Sequence, residues 1–189
     1  MKKYELTAEF IEKWGKKLFR IKALISFGSV EVGELGGYVE KEDNLAQDGD
    51  AWVYGDAWVY GNAEVCGDAE VYGNAEVSGD AWVSGNARVY GDAWVCGDAE
   101  VCGDADYLLI GRIGSRFSFT TFFKNKDKGI TVSCGCFLGT IAEFRAKVTD
   151  THGNNKHAKM YNLAADMVEL QILGEEHFDK LNTNKSEPF

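Results

Sequence analysis

No stretch of this chain approaches the roughly 18 consecutive apolar residues that span a bilayer, and the opening Met1 to Thr7 lacks the apolar centre of a secretion signal. A cytoplasmic address with no membrane partner is therefore expected. Histidine is nearly missing: the copies are His152, His157 and His177, so everything before His152 offers no imidazole for acid–base work or for a metal. The five cysteines, Cys66, Cys96, Cys102, Cys134 and Cys136, lack the spacing of a disulfide framework or a zinc ribbon and read as reduced thiols. Basic residues desert the middle of the chain. Residues 42 to 106 hold fifteen Asp/Glu against the single Arg88, while both flanks carry a small excess of Lys and Arg. An acidic body repels phosphate backbones, so no nucleic acid is expected along it.

What is present is a folded composition, 45% hydrophobic over 189 residues, dominated by one phrase. From Ala51 to Asp104 the chain repeats Ala-x-Val-y-Gly-Asp/Asn nine times without an insertion. Ala and Val two residues apart share one face of a short strand, and x and y point the other way. Gly followed by Asp or Asn supplies a corner, because these residues enter turn conformations cheaply. Each six-residue unit is one side and one corner of a coil that only stacking can bury.

The nine units resemble the hexapeptide-repeat superfamily of left-handed β-helices. The resemblance implies a mainly β fold, a left-handed parallel β-helix with three sides and about 18 residues per coil. It also implies association as a parallel homotrimer. Four segments follow: an N-terminal cap over 1–32, the β-helix over 33–106, a C-terminal ββαα module over 107–174 and a tail over 175–189. The stretch 33–50 reads as one degenerate coil, with Gly37, Gly49 and Asp50 on corners and Leu45 on an Ala position.

Stacking in steps of 18 puts Tyr54, Tyr72 and Tyr90 in one outward column beside Trp52, Glu70, Arg88 and Asp106. This predicts an aromatic ladder flanked by a charge ladder. Outward aromatics in such number mark an interface, so Trp52, Tyr54, Tyr72, Arg88 and Tyr90 are the expected oligomer contacts, with a sugar platform as the alternative. On the corners, Asp80 stacked on Asp98 could hold a cation through oxygen ligands, against the simpler reading of two solvated carboxylates; no metal is expected.

In the flanks, Thr7 is expected to cap a short helix, Ala8 to Trp14, ended by Gly15 and followed by a strand over Leu18 to Ile25. After the repeat, Phe117–Phe123 and Ile130–Cys136 read as a hairpin. Thr140 and Glu143 form a capping box for a helix to about Thr151, and a second helix spans Lys156 to Leu173 with Tyr161, Ala164, Ala165, Val168 and Ile172 buried. The phrases Arg20-Ile21-Lys22-Ala23-Leu24, Thr120-Thr121-Phe122-Phe123 and Cys134-Gly135-Cys136-Phe137-Leu138-Gly139-Thr140 resemble hexapeptide-repeat proteins of phages and prophages. That resemblance implies a phage origin, a host-cell cytoplasm as address and no assigned activity.

The acyltransferases of the superfamily use a histidine at a cleft between neighbouring helices, and its carbonic anhydrases hold a metal with three repeat histidines. This repeat has none, so a non-enzymatic protein without cofactor is expected, with acyl transfer through His152 as the enzyme alternative. Cys134 and Cys136 alternate on a strand and are expected to be two small buried side chains. The remaining chemistry is a basic group: Arg112, Arg116, Lys124 and Lys126, with Ser115, Thr120 and Thr121 as hydroxyl donors and His152 nearby. Arginine forks match phosphate geometry, so the group suits a phosphate-bearing small molecule. The functional expectation is a homotrimeric sponge for a nucleotide-derived signal of host defence. The alternative is a structural trimer that docks a protein.

Overall fold

The computed structural model describes residues 1–176, so His177 and the end of the expected tail lie outside the described residues. The chain divides into two compact units, residues 1–104 and the residues from 105 onward.

The first unit is a β-solenoid. Nine two-residue strands, β4 (Trp52–Val53), β5 (Trp58–Val59), β6 (Glu64–Val65), β7 (Glu70–Val71), β8 (Glu76–Val77), β9 (Trp82–Val83), β10 (Arg88–Val89), β11 (Trp94–Val95) and β12 (Glu100–Val101), occupy one side of a coil each. They pair in parallel across coils, Trp52 with Glu70, Glu70 with Arg88, Trp58 with Glu76 and Glu64 with Trp82, which sets the 18-residue period. The Ala and Val of every unit point inward and are at most 2% exposed. Corner glycines from Gly55 to Gly97 hold φ between 59° and 77°, a region costly for any side chain.

The coil before the repeat departs from the period. Strand β3 (Leu35–Val39) sets Tyr38 against Trp58 and Val39 against Val59, and Leu45 bridges Val65, an offset of twenty. Leu45 thus sits on a Val position, not an Ala position. Gly37 is not a corner either: it lies inside β3, where a Cβ would strike the Ala57 carbonyl and the Val53 side chain. Gly49 is a corner, at φ 65°. The register returns to 18 through the extra residues between Leu45 and Gly49.

Those extra residues receive the N-terminus, which is a hairpin and not the expected helix. Strand β1 (Tyr4–Lys13) pairs antiparallel with β2 (Lys16–Ala23), and Trp14 (φ 54°) and Gly15 (φ 75°) form the two-residue turn. Consecutive positive φ angles are the type I′ signature, so Gly15 closes a hairpin where a helix end was expected. Phe10 meets Phe19 across the strands, ring centroids 6.0 Å apart. A helix over Ala8–Trp14 would have lost this ladder and this pair.

The hairpin's first residues cap the open coil. Tyr4, fully buried, donates its hydroxyl to the Glu42 and Leu45 carbonyls at 2.8 and 2.7 Å. The buried Lys3 ammonium reaches the carbonyls of Asp48, Gly49 and Ala51 at 3.2, 3.3 and 2.9 Å. Two side chains thus cover five edge carbonyls, the Tyr4 proton being shared between two of them, the terminal capping that a stacked repeat requires. Burial, opposed by Asp48 and Asp50, lowers the pKa of Lys3.

The second unit holds four antiparallel strands in sequential order, β13 (Tyr107–Ile113), β14 (Ser118–Lys124), β15 (Ile130–Cys134) and β16 (Phe137–Thr140), then helices α1 (Ile141–His152) and α2 (Lys156–Leu173). Two strands more than the expected ββαα are present, because Tyr107–Ile113 extends as a strand along β14 and Phe137–Thr140 returns along β15. Thr140 accepts from the Glu143 N–H at 3.3 Å and its own N–H donates to the Glu143 carboxylate at 2.8 Å, a capping box. The core joins Phe122, Ile130 and Val132 to Phe144, Val148, Tyr161, Ala164, Ala165 and Val168. Arg145 ties α1 to α2 by pairing with Asp166 at 2.7 Å and the buried Glu169 at 2.6 Å. No described helix is long and apolar enough to cross a membrane.

Candidate functional site

The expected phosphate-binding group is divided by the sheet. Arg112, Ser115 and Arg116 stand exposed at the turn between β13 and β14, and Arg112 lies over the Phe119 ring at 5.8 Å. Lys124 ends β14, about 20 Å away at strand rise, and Lys126 lies in the turn beyond it. Lys124 pairs with Asp106 at 3.0 Å, which takes Asp106 as a charge partner in place of the expected Arg88 column. Thr120 and Thr121 are buried on opposite faces, and the Thr120 hydroxyl donates to the Cys134 sulfur at 3.2 Å.

A cleft of about 100 Å³ lies between the β15–β16 turn and the α1–α2 junction. Cys134, Phe137, Phe144, Lys147, Val148, Thr151, His152 and Tyr161 line it. His152 ends α1 and stacks on Tyr161, centroids 5.8 Å apart and planes 28° apart, with His157 a further 5.8 Å neighbour. Burial first, and the Cys134 thiol second, push the Tyr161 hydroxyl up to about 12, so it stays a neutral donor across the physiological range. A side chain at Gly114 would run into that hydroxyl, so glycine lets the β13–β14 turn close over Tyr161. Arg116 rides on this turn and acts on Tyr161 in the opposite sense to Cys134. Of the expected binding residues, Arg116, Thr120 and His152 therefore gather around Cys134 and Tyr161. The lysines do not.

Cys134 and Cys136 do not share a strand face. Cys134 pairs with Phe137, so Gly135 (φ 62°) and Cys136 make a two-residue turn of type II′ pattern, with Cys136 exposed. Glycine between the cysteines marks this turn in the sequence. None of the five cysteines is in a disulfide.

On the solenoid, the expected interface residues separate. Trp52 keeps its outward place in the column, paired with Glu70, but is fully buried, 6.1 Å from the Tyr4 ring and 5.4 Å from Phe27, because the cap folds over it, so it is no oligomer contact. Tyr54 is drawn to Ser29, oxygen to oxygen 3.0 Å, and donates to Glu70 at 3.4 Å. Tyr72 and Tyr90 stack at 5.6 Å and 17°, and Arg88 pairs with Glu70 at 3.2 Å. The cap's lysines cover the aromatics of the next side, Lys13 over Trp58 at 4.4 Å and Lys16 over Tyr60 at 5.8 Å.

A diagonal rule was missed. Residue y of one unit meets the residue x sixteen positions on, in the next coil: Trp82 Nε1 donates to Cys66 Sγ at 2.9 Å, Trp94 Nε1 to Ser78 Oγ at 3.4 Å, and the Tyr60 hydroxyl to Glu76. At the corners Asn62 donates to Asp80 at 3.0 Å and Asn74 to Asp92 at 2.9 Å. Asp80 and Asp98 gain no third carboxylate, imidazole or thiol that would complete a metal cluster among the described residues.

Residues 81–97 match the family model of the YdcK beta solenoid repeat. The match spans about one coil, and with the coil geometry it makes this a β-solenoid repeat protein. No curated protein matches the chain.

Proposed function

We propose that the chain is a structural, non-enzymatic protein whose solenoid is a rigid support and whose C-terminal module docks a protein partner. The observation that carries this reading is an apolar row on the outer side of α2: Met160, Leu163, Met167 and Leu170 are 40%, 68%, 50% and 44% exposed. The other side of the same helix already fills the core with Tyr161, Ala164, Ala165 and Val168. A helix apolar on two sides has one side to give to a partner. In-cell cross-linking with mass spectrometry tests it, with inter-protein cross-links expected at Lys156 and Lys159 beside the row. Their absence, with cross-links scattered over the chain, refutes the reading.

A second reading is favoured by the gathering of Arg116, Thr120 and His152 around Tyr161: a phage-type homotrimer that sequesters a phosphate-bearing nucleotide signal there, associating through the Tyr72 and Tyr90 side. Calorimetry on cyclic nucleotides and cyclic ADP-ribose-like molecules is its test. Micromolar binding lost on Arg116→Ala supports it, and no heat at any concentration removes it.

A further inference from the structure

We infer that the outer row of α2 pairs with α2 of a second copy of this chain, antiparallel, as a two-fold dimer. The inference rests on the docking reading above and names its partner. Met160, Leu163, Met167 and Leu170 follow one another at steps of three, four and three, the a/d rhythm of a coiled-coil seam. Lys156 heads the same row one step earlier, and Gly174 ends it. Asp166 and Glu169 are turned instead to Arg145, so those two carboxylates are held within the module.

The charges select the occupant. Exposed Lys156 and Lys159 flank the start of the row, and exposed Glu175 and Glu176 follow its end. An antiparallel pair centred between Leu163 and Met167 packs Met160 on Leu170 of the second copy and Leu163 on its Met167. The same arrangement brings the lysines beside the glutamates and opposes the two helix dipoles. A parallel pair would set lysine against lysine. Helix α2 and the two residues after Gly174 therefore carry both halves of one complement, the mark of an isologous interface.

The row is short for a permanent dimer. An exposed patch of this kind measures roughly 300–600 Å², below the roughly 800 Å² per partner of a standard interface. A weak dimer, in the micromolar range, is expected.

Sedimentation velocity on the full chain from about 1 to about 200 µM tests this, a range set around micromolar affinity. The expected result is a mass that rises from monomer to dimer with concentration. Met167→Lys buries an unpaired ammonium in the seam and should weaken the dimer about 100-fold, while circular dichroism and the unfolding temperature of the monomer stay unchanged; Leu163→Gln serves as the second variant. Lys156→Glu with Lys159→Glu should weaken it about tenfold, as should Glu175→Lys with Glu176→Lys, and an equimolar mixture of the two double variants should recover the dimer. A monomer at every concentration, a trimer, a dimer indifferent to Met167→Lys, or double variants that dimerise like the parent overturns the inference. A monomer that still cross-links to another protein at Lys156 overturns this inference alone and leaves the docking reading standing. A monomer without such cross-links removes both.

Discussion

In the solenoid the Ala and Val of one coil meet the same residues of the next, so each coil is held by its neighbours and by little else. In the C-terminal module one residue, Phe144, sits edge-on to Phe122 at 5.8 Å and Tyr161 at 5.5 Å and touches Phe137 at 5.6 Å. The first arrangement spreads stability along a line of nearly identical contacts. The second concentrates it in a hub that two strands and two helices share. Variation is tolerated outward on the coils, where Trp, Glu, Arg, Tyr, Ser and Cys alternate, because the inner columns and the backbone ladder between coils are the same in every unit. The module has its own free sides, the outer row of α2 and the exposed side of α1 with Glu143, Lys147 and Asp150, but its core is shared by every element.

That contrast can be broken experimentally, and the largest effect is expected at the hub. Phe144→Ala should cost about 4 kcal/mol and remove hydrogen-exchange protection from the second unit while residues 1–104 keep theirs. Equal losses in both units would refute separate cores. Val83→Ala, in a central coil, should cost about 2 kcal/mol and loosen only the amides of its own and adjacent coils; protection lost at both ends of the solenoid would show long-range cooperativity instead. Tyr4→Phe removes the hydroxyl donor of the Leu45 carbonyl, leaves the Glu42 carbonyl to the Leu45 N–H at 3.3 Å, and should cost about 1.5 kcal/mol. Faster exchange is expected at Leu35–Val39 and none at Glu100–Val101, and the reverse pattern would deny the cap its role.

The smallest effect concerns pH. Burial pushes the Glu40 carboxyl up, but the Lys16 ammonium and the Gly61 N–H, 2.7 Å from its oxygen, outweigh this and hold it below its ordinary value of 4.5. A lowered folded pKa means a contribution complete above the unfolded value and lost as pH falls through the folded one. Acid titration should therefore loosen the cap below pH 4.5 in the parent and less steeply in Glu40→Gln. Superimposable acid limbs would dismiss the pair as a stabilising contact.

The strands that were legible in the sequence are those whose signal lies within six residues. Ala63, Val65 and Gly67 announce a strand face and a corner without reference to anything distant. The capping box at Thr140 and Glu143 and the buried side of α2 were equally local. Phe10, Ile11 and Trp14 misled because their spacing fits a helix face while their partner, β2, lies across a turn. Trp52 misled because x positions point outward in every unit, and only the arriving cap buries this one. The candidate site was half legible: the residue types of Arg116, Thr120 and His152 could be read, but not that Lys124 and Lys126 stand at the other end of a strand. The apolar row Met160, Leu163, Met167 and Leu170 was written in the sequence at seam spacing and was eclipsed by the equally regular buried side.

The sequence by itself determined the solenoid, its 18-residue period and its inward Ala and Val columns, because a repeat that cannot bury its face alone has stacking as its remaining solution. The tertiary structure alone decided that the N-terminus is a hairpin, that Lys3 and Tyr4 close the open coil, and that Cys134, His152 and Tyr161 share a cleft. The cap's contacts from Lys3 to Ala51 and from Tyr4 to Leu45 join residues more than forty positions apart, and the others join separate strands and helices. Their energy comes from satisfying carbonyls and rings that exist as a surface only after the coils and the sheet have formed.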